Sequence, residues 1–134
     1  MEKIIQVVAA VIIKDDKVLL TSRPSGKIYA NYWEFPGGKV ELQENIITAL
    51  VRELKEEINL EVEPHNCQLL TAIEHLYQHG LVQLSVVTVQ AWSGRLQPLE
   101  GQNIYWQELK QECNLHPCLP TTDKILKLIK QKYR

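Results

Sequence analysis

The sequence predicts an α/β or α+β sandwich: a mixed β-sheet with helices packed on it, in one domain spanning residues 1–134. Three observations carry this. The element patterns run strands, helix, strands, helix. Ile46, Ile47, Leu50, Leu54 and Ile58 recur at helical spacing. The run IIQVVAAVII is rich in β-branched residues, while LVQLSVVTVQ alternates apolar with polar.

Ile4 to Ile13 reads as a first strand, Lys14-Asp15-Asp16 as a tight turn and KVLLTS as a second strand, both largely buried. The first run contains Gln6, is too short to span a bilayer and lacks the flanks of a cleaved leader, so neither membrane insertion nor export is expected. Arg23 to Asn31, with Pro24, Ser25 and Gly26, reads as a loop. Trp33, Phe35, Pro36, Gly37 and Gly38 make a second break that no helix can cross. Asn45 is an acceptable N-cap for the helix that follows, in which Arg52, Glu53, Lys55, Glu56 and Glu57 fill the face opposite the apolar one. After Glu63-Pro64-His65-Asn66, CQLLTAIEHLYQ and LVQLSVVTVQAW read as two longer strands forming a hairpin around Gly80. SGRLQPLEGQN is turn-rich, and IYWQEL reads as a short strand entering a turn. Thr121 to Lys130 spaces Ile125, Leu126 and Ile129 for a closing amphipathic helix, with its lysines outward rather than forming a nucleic-acid tail.

A net charge of −1, with 45% hydrophobic and 23% charged residues, excludes a disordered chain and a general polyanion binder. It leaves open a local basic pocket for one phosphorylated small molecule. Cys67, Cys113 and Cys118 are odd in number and irregularly spaced, so no closed disulfide framework is expected and the reducing cytoplasm is the natural compartment. Cys113, His116 and Cys118 lack the fourth ligand that a zinc site needs.

Glu53, Glu56 and Glu57 stand at positions 0, +3 and +4 of the first helix, which puts three carboxylates within one turn of each other. Like charges at this spacing cost about 0.2–0.5 kcal/mol per pair, a cost that a divalent cation would remove. Hard oxygen ligands suit Mg²⁺ or Mn²⁺, whose usual work is on phosphate oxygens and water. A merely solvated acidic face is the alternative. Against it, a Gly-Gly turn with Lys39 leads straight into this helix, and Glu44 stands near its start.

Gly38, five residues, Glu44, seven residues and then Arg52-Glu53-Leu54-Lys55-Glu56-Glu57-Ile58-Asn59-Leu60 resembles the box of the Nudix hydrolases. Asn59 alone departs, standing where the family has Gly. Asn is the non-glycine residue most tolerant of left-handed backbone, so the loop is expected to survive. VVAAVIIKDDKVLLTSRP, NYWEFPGGKVE, EGQNIYW and LPTTDKIL extend the similarity to MutT-like members over nearly the whole chain.

The resemblance implies a Nudix α/β/α sandwich and Mg²⁺-dependent hydrolysis of a nucleoside triphosphate, 8-oxo-dGTP or a related dNTP, to monophosphate and pyrophosphate. Its role would be nucleotide-pool sanitation. Modified cytosine nucleotides or a broad dNTP range are the alternative substrates, and a nucleotide-sensing module is the non-enzymatic alternative. Neither nucleic acid nor membrane is expected as a partner, and the chain is expected to be a monomer or weak dimer. By the same resemblance Glu53, Glu56 and Glu57 would be metal ligands, joined by the Gly38 carbonyl and Glu100. Glu53 or Glu100 would be the general base, Arg52 would orient Glu53, and Glu44 would support the site. Arg23 and Lys39 would contact the triphosphate. Thr122 falls at the base-reading position, with Asp123 as substitute. Phe35, Tyr77, Leu81 and Leu119 are candidates for the pocket wall.

Overall fold

A computed structural model describes residues 3–133. The chain folds as β1 (Ile4–Lys14), β2 (Lys17–Ser22), β3 (Trp33–Glu34), β4 (Gly37–Lys39), α1 (Ile46–Ile58), a 3₁₀ turn (Pro64–Asn66), β5 (Cys67–Tyr77), β6 (Gly80–Val89), β7 (Ile104–Glu108) and α2 (Pro120–Lys132). The seven strands form one mixed sheet in the order β3-β2-β1-β6-β5, with β4 also paired to β1 and β7 to β2.

β1 organises the sheet. One edge pairs in parallel with β6 from Ile4↔Leu81 to Ile12↔Val89, and the other pairs antiparallel with β4 at Val7 to Ala9. The β1–β2 hairpin is therefore short, with Cα partners only at Ile13↔Val18 and Lys14↔Lys17. Its turn residues Asp15 and Asp16 both have positive φ, 54° and 62°, the backbone that a two-residue hairpin requires and that Asp tolerates. The β5–β6 hairpin expected around Gly80 closes at Tyr77↔Gly80.

Alternation along β1 feeds two cores. Val8, Ala10 and Ile12 face α1 and pack with Ala49, Leu50, Leu54, Ile58, Val87 and Val89. Ile5, Ala9 and Val11 face the other way and pack with Phe35, Leu84, Val86, and Ile125 and Ile129 of α2. Fully burying a Leu or Ile contributes about 1.5–3 kcal/mol, so Leu50, Leu54 and Ile58 outweigh the repulsion among Glu53, Glu56 and Glu57 on the same helix.

Both ends of α1 are capped by asparagine. The Asn45 side chain accepts a hydrogen bond from the Thr48 backbone N–H at 2.8 Å. Asn59 adopts φ 63° and ψ 26°, the left-handed conformation that stops a helix. Its Nδ2 donates to the Arg95 carbonyl at 3.0 Å, a bond that glycine could not make. α2 starts one residue earlier and ends two later than the sequence pattern suggests, because Pro120 occupies the first turn, where its missing N–H costs nothing.

Candidate active site

The Gly-Gly turn brings backbone against the acidic helix. Gly37 has φ 155° and lies so close to the Val8 carbonyl that no side chain fits. Gly38, paired with Val8, faces the Glu53 carboxylate, and a Cβ there would stand 2.5 and 2.6 Å from the two carboxylate oxygens. Glycine at both positions lets β4 dock on β1 while leaving room for Glu53.

Arg52 ties the acids together. Nε and Nη2 donate to the two Glu44 oxygens at 2.7 and 2.9 Å, and Nη1 donates to Glu53 at 2.9 Å and Glu56 at 3.2 Å. A further Nη2 bond, 3.1 Å to the Lys39 carbonyl, anchors the guanidinium to the end of β4. The paired hydrogen bonds from Arg52 hold the Glu44 carboxyl down at about 2. Glu53 moves the other way: burial lifts it above its ordinary value, against the pull of Arg52.

Glu57 is 8% exposed and, among the described residues, its carboxylate has no hydrogen-bond or ion-pair partner. Burial, and then the charges of Glu34, Glu100 and Glu53, push it up to about 9. Glu100 comes within reach through the loop after β6. Gln97 and Leu99 donate backbone N–H bonds to the Ile58 and Glu57 carbonyls at the end of α1. The buried Gln102 amide bridges the Glu57 carbonyl and the Glu100 N–H at 3.0 and 2.9 Å.

A cleft of about 520 Å³ opens beside these groups, its wall including Gly38, Glu53, Glu57 and Glu100. Among the described residues no three acidic or metal-binding side chains are already gathered in ligating geometry, since Glu53 and Glu56 are turned to Arg52. The donor set nevertheless fits a hard divalent cation. It is all oxygen, and it includes an unpartnered carboxylate raised by burial among other carboxylates, a position that a cation would relieve.

The other expected residues divide. Arg23, Lys39, Phe35, Tyr77, Leu119 and Thr122 line the cleft; Glu44, Arg52, Glu56, Leu81 and Asp123 do not. Arg23 is committed to structure: Nη1 pairs with Glu34 at 3.1 Å and Nε holds the Ile28 carbonyl at 2.8 Å. Thr122 is buried and donates its hydroxyl to the Trp33 carbonyl at 2.9 Å. Asp123, one step of about 100° further round α2, is exposed and borders a second cavity with Lys127 and Lys130. Sequence reasoning missed Lys27, Tyr29, His79, Thr121 and Gln102 of the cleft wall. Lys27 and Tyr29 sit in an aperiodic loop with no sequence signal. The polar Gln102 within the Glu100 loop was the one available clue.

The NUDIX domain model matches residues 4–128. The chain is 37% identical over 130 residues to a CTP pyrophosphohydrolase of Escherichia coli strain K12, covering 92% of this chain and 90% of that protein. It is 38% identical over 98 residues to an 8-oxo-dGTP diphosphatase of Buchnera aphidicola subsp. Acyrthosiphon pisum, covering 73% and 75% of the two. The crystal structure of a MutT NUDIX hydrolase from Burkholderia pseudomallei superposes with a TM-score of 0.82 at 26% identity, over 94% of this chain and 98% of that one. With the box acids, the Gly-Gly turn and the two-faced sheet all in place, this chain belongs to the Nudix hydrolase family, among its MutT-like members.

Proposed function

We propose that the chain is a Mg²⁺-dependent nucleoside triphosphate pyrophosphohydrolase that cleaves 8-oxo-dGTP and related nucleotides to the monophosphate and pyrophosphate, cleansing the cytoplasmic nucleotide pool. The observation that carries this reading is the buried, unpartnered Glu57 beside Glu53, Glu100 and Gly38 at one end of a nucleotide-sized cleft. Glu53, Glu56, Glu57, Glu100 and the Gly38 carbonyl would hold the metal, with Mn²⁺ as an alternative. Bound there, Mg²⁺ supplies charge neutralisation for the triphosphate and lowers the pKa of a water.

Glu53, whose carboxylate stands against Gly38 in the cleft wall, takes the proton of the attacking water. Arg52 fixes its orientation and is itself fixed by Glu44. Lys27 and Lys39, both exposed at the cleft wall, face the phosphates. Glu100 is the alternative base.

Cytosine nucleotides form a second reading. It is favoured by the likeness to a CTP pyrophosphohydrolase over 92% of the chain, and by the Thr122 hydroxyl, which is already given to Trp33. The test is pyrophosphate release with Mg²⁺ from 8-oxo-dGTP, dGTP, dCTP, 5-methyl-dCTP and CTP, with ADP-ribose and diadenosine polyphosphates as outgroups. Turnover of the triphosphates with pyrophosphate as product is expected. Turnover of the outgroups alone would overturn the proposal.

A further inference from the structure

The cleft has two unlike ends. Opposite the carboxylates stand three aromatic rings: Tyr29 lies 5.6 Å from Tyr77 and 6.2 Å from His79, and Tyr77 lies 5.4 Å from His79, centroid to centroid. All three line the cleft, Tyr29 and Tyr77 half-buried and His79 exposed. They come from two separate places in the chain, the loop after β2 and the β5–β6 hairpin.

Tyr29 is held there at a cost. Its φ is 59°, a left-handed backbone that bulky residues rarely adopt, and Asn31 beside it has φ 71°. The loop is pinned by the Arg23 Nε bond to the Ile28 carbonyl, by Arg23 N–H to the Tyr32 carbonyl and by Asn31 N–H to the Arg23 carbonyl. Residues 25–28, which lead into Tyr29, are exposed. The result is a ring at the cleft mouth.

The hydroxyls beside these rings are already partnered. The Thr122 hydroxyl proton goes to Trp33, and Thr121 Oγ1 lies 3.4 Å from the Tyr77 hydroxyl. A site that discriminates bases strongly needs free donors and acceptors facing the base edge, and these groups are spoken for. A ring surface, by contrast, takes every base, because every base has a π-face.

We infer that Tyr29, Tyr77 and His79 hold the nucleobase by stacking, so that this chain accepts purine and pyrimidine nucleoside triphosphates alike. The inference rests on the proposed nucleotide hydrolysis for the ligand class, and its test is built to fail separately.

Binding of the monophosphate products dCMP, dGMP and 8-oxo-dGMP, and of pyrophosphate, is measured by calorimetry on the wild type and on Tyr29→Ala, Tyr29→Phe and His79→Ala. Stacking of one base is worth about 1–3 kcal/mol by alanine substitution, so Tyr29→Ala should weaken all three monophosphates together by about 5- to 150-fold. Tyr29→Phe should stay within about twofold of wild type, His79→Ala should act in the same direction as Tyr29→Ala, and pyrophosphate binding should not move. A fluorescent 2-aminopurine deoxyribonucleoside monophosphate should be quenched by the wild type and far less by Tyr29→Ala. Across the triphosphate panel kcat/KM should spread by no more than about 10²-fold. Unchanged monophosphate binding in Tyr29→Ala, an equal loss of pyrophosphate binding, or a preference above about 10³-fold for one base would overturn the inference. Quenched binding without turnover of any triphosphate would strike the hydrolase assignment and leave stacking in place.

Discussion

Arg52 grips Glu44 through two parallel hydrogen bonds, 2.7 Å from Nε and 2.9 Å from Nη2, and turns Nη1 to Glu53 and Glu56. Glu44 thereby acts on Glu53 at one remove: it fixes the guanidinium that fixes the Glu53 carboxylate. Lysine cannot reproduce this fork. Arg52→Lys is expected to lower kcat by about tenfold or more with KM little changed, and Glu44→Gln to do the same more mildly. Steady-state kinetics on the preferred triphosphate, alongside thermal melting, separates this from simple destabilisation.

Glu53→Gln should cut kcat by about 10²-fold or more while nucleotide affinity stays near normal, the size expected for losing an acid–base group. Direct titration of product binding checks it. An equal loss of affinity would make Glu53 chiefly a ligand.

The two glycines should separate stability from activity. Gly37→Ala places a methyl group against the Val8 carbonyl at φ 155° and should destabilise by roughly 2–4 kcal/mol. Gly38→Ala meets only the tip of a flexible side chain, so the melting temperature should hold while kcat drops by about tenfold or more as Glu53 is displaced. Loss of the fold in Gly38→Ala would contradict this.

Two carboxyls give pH signatures of opposite sign. Glu44 is held at about 2 when folded, below its ordinary 4.5, so its contribution is present above pH 4.5 and is lost as pH falls toward 2. Glu57 is raised to about 9, so its contribution is full below pH 4.5 and is lost as pH rises toward 9. In metal-free protein, melting temperature should therefore decline from about pH 5 to 9. Glu57→Gln should flatten that slope, and Mg²⁺ should raise the melting temperature more at pH 8 than at pH 6. Glu44→Gln should leave the alkaline limb unchanged and flatten the acid one.

Lys27 is the cation that the loop offers to the cleft, and its charge is felt by both Glu34 and Glu57. Lys27→Ala should raise KM for triphosphates by about tenfold and leave kcat within about threefold. A fall in kcat alone would remove it from substrate binding.

Local features of the fold were legible in the sequence wherever one residue type serves one backbone need. Asn45 and Asn59 mark the ends of α1, Asp15-Asp16 marks a turn, and the spacing of Leu50, Leu54 and Ile58 marks the buried face. What no local pattern could give was partnership. The parallel pairing of β1 with β6, and the capture of one β1 edge by the three-residue β4, depend on contacts remote in sequence. Gly38, Glu53 and Glu57 of the cleft were readable because they share one helix and the turn before it. The rest of the cleft wall was not, since Lys27, Tyr29 and His79 lie in loops whose positions are set by distant strands. Thr122 shows the hazard of reading a residue without its neighbours: it lines the cleft, yet its hydroxyl proton is directed to Trp33.

The pairing of β1 with β6 also has a kinetic side. Gln6 and Gln83, facing each other across that ladder, are 77 residues apart in the chain. Such closure is slow compared with forming α1, which needs only local bonds. During synthesis the acidic helix emerges well before Val87 and Val89, which complete the surface it packs on. Until β6 arrives, the apolar faces of β1 and α1 are only partly covered and open to aggregation. Substitutions that weaken β6, such as Val87→Ala, are therefore expected to reduce the yield of folded enzyme more than its activity once folded.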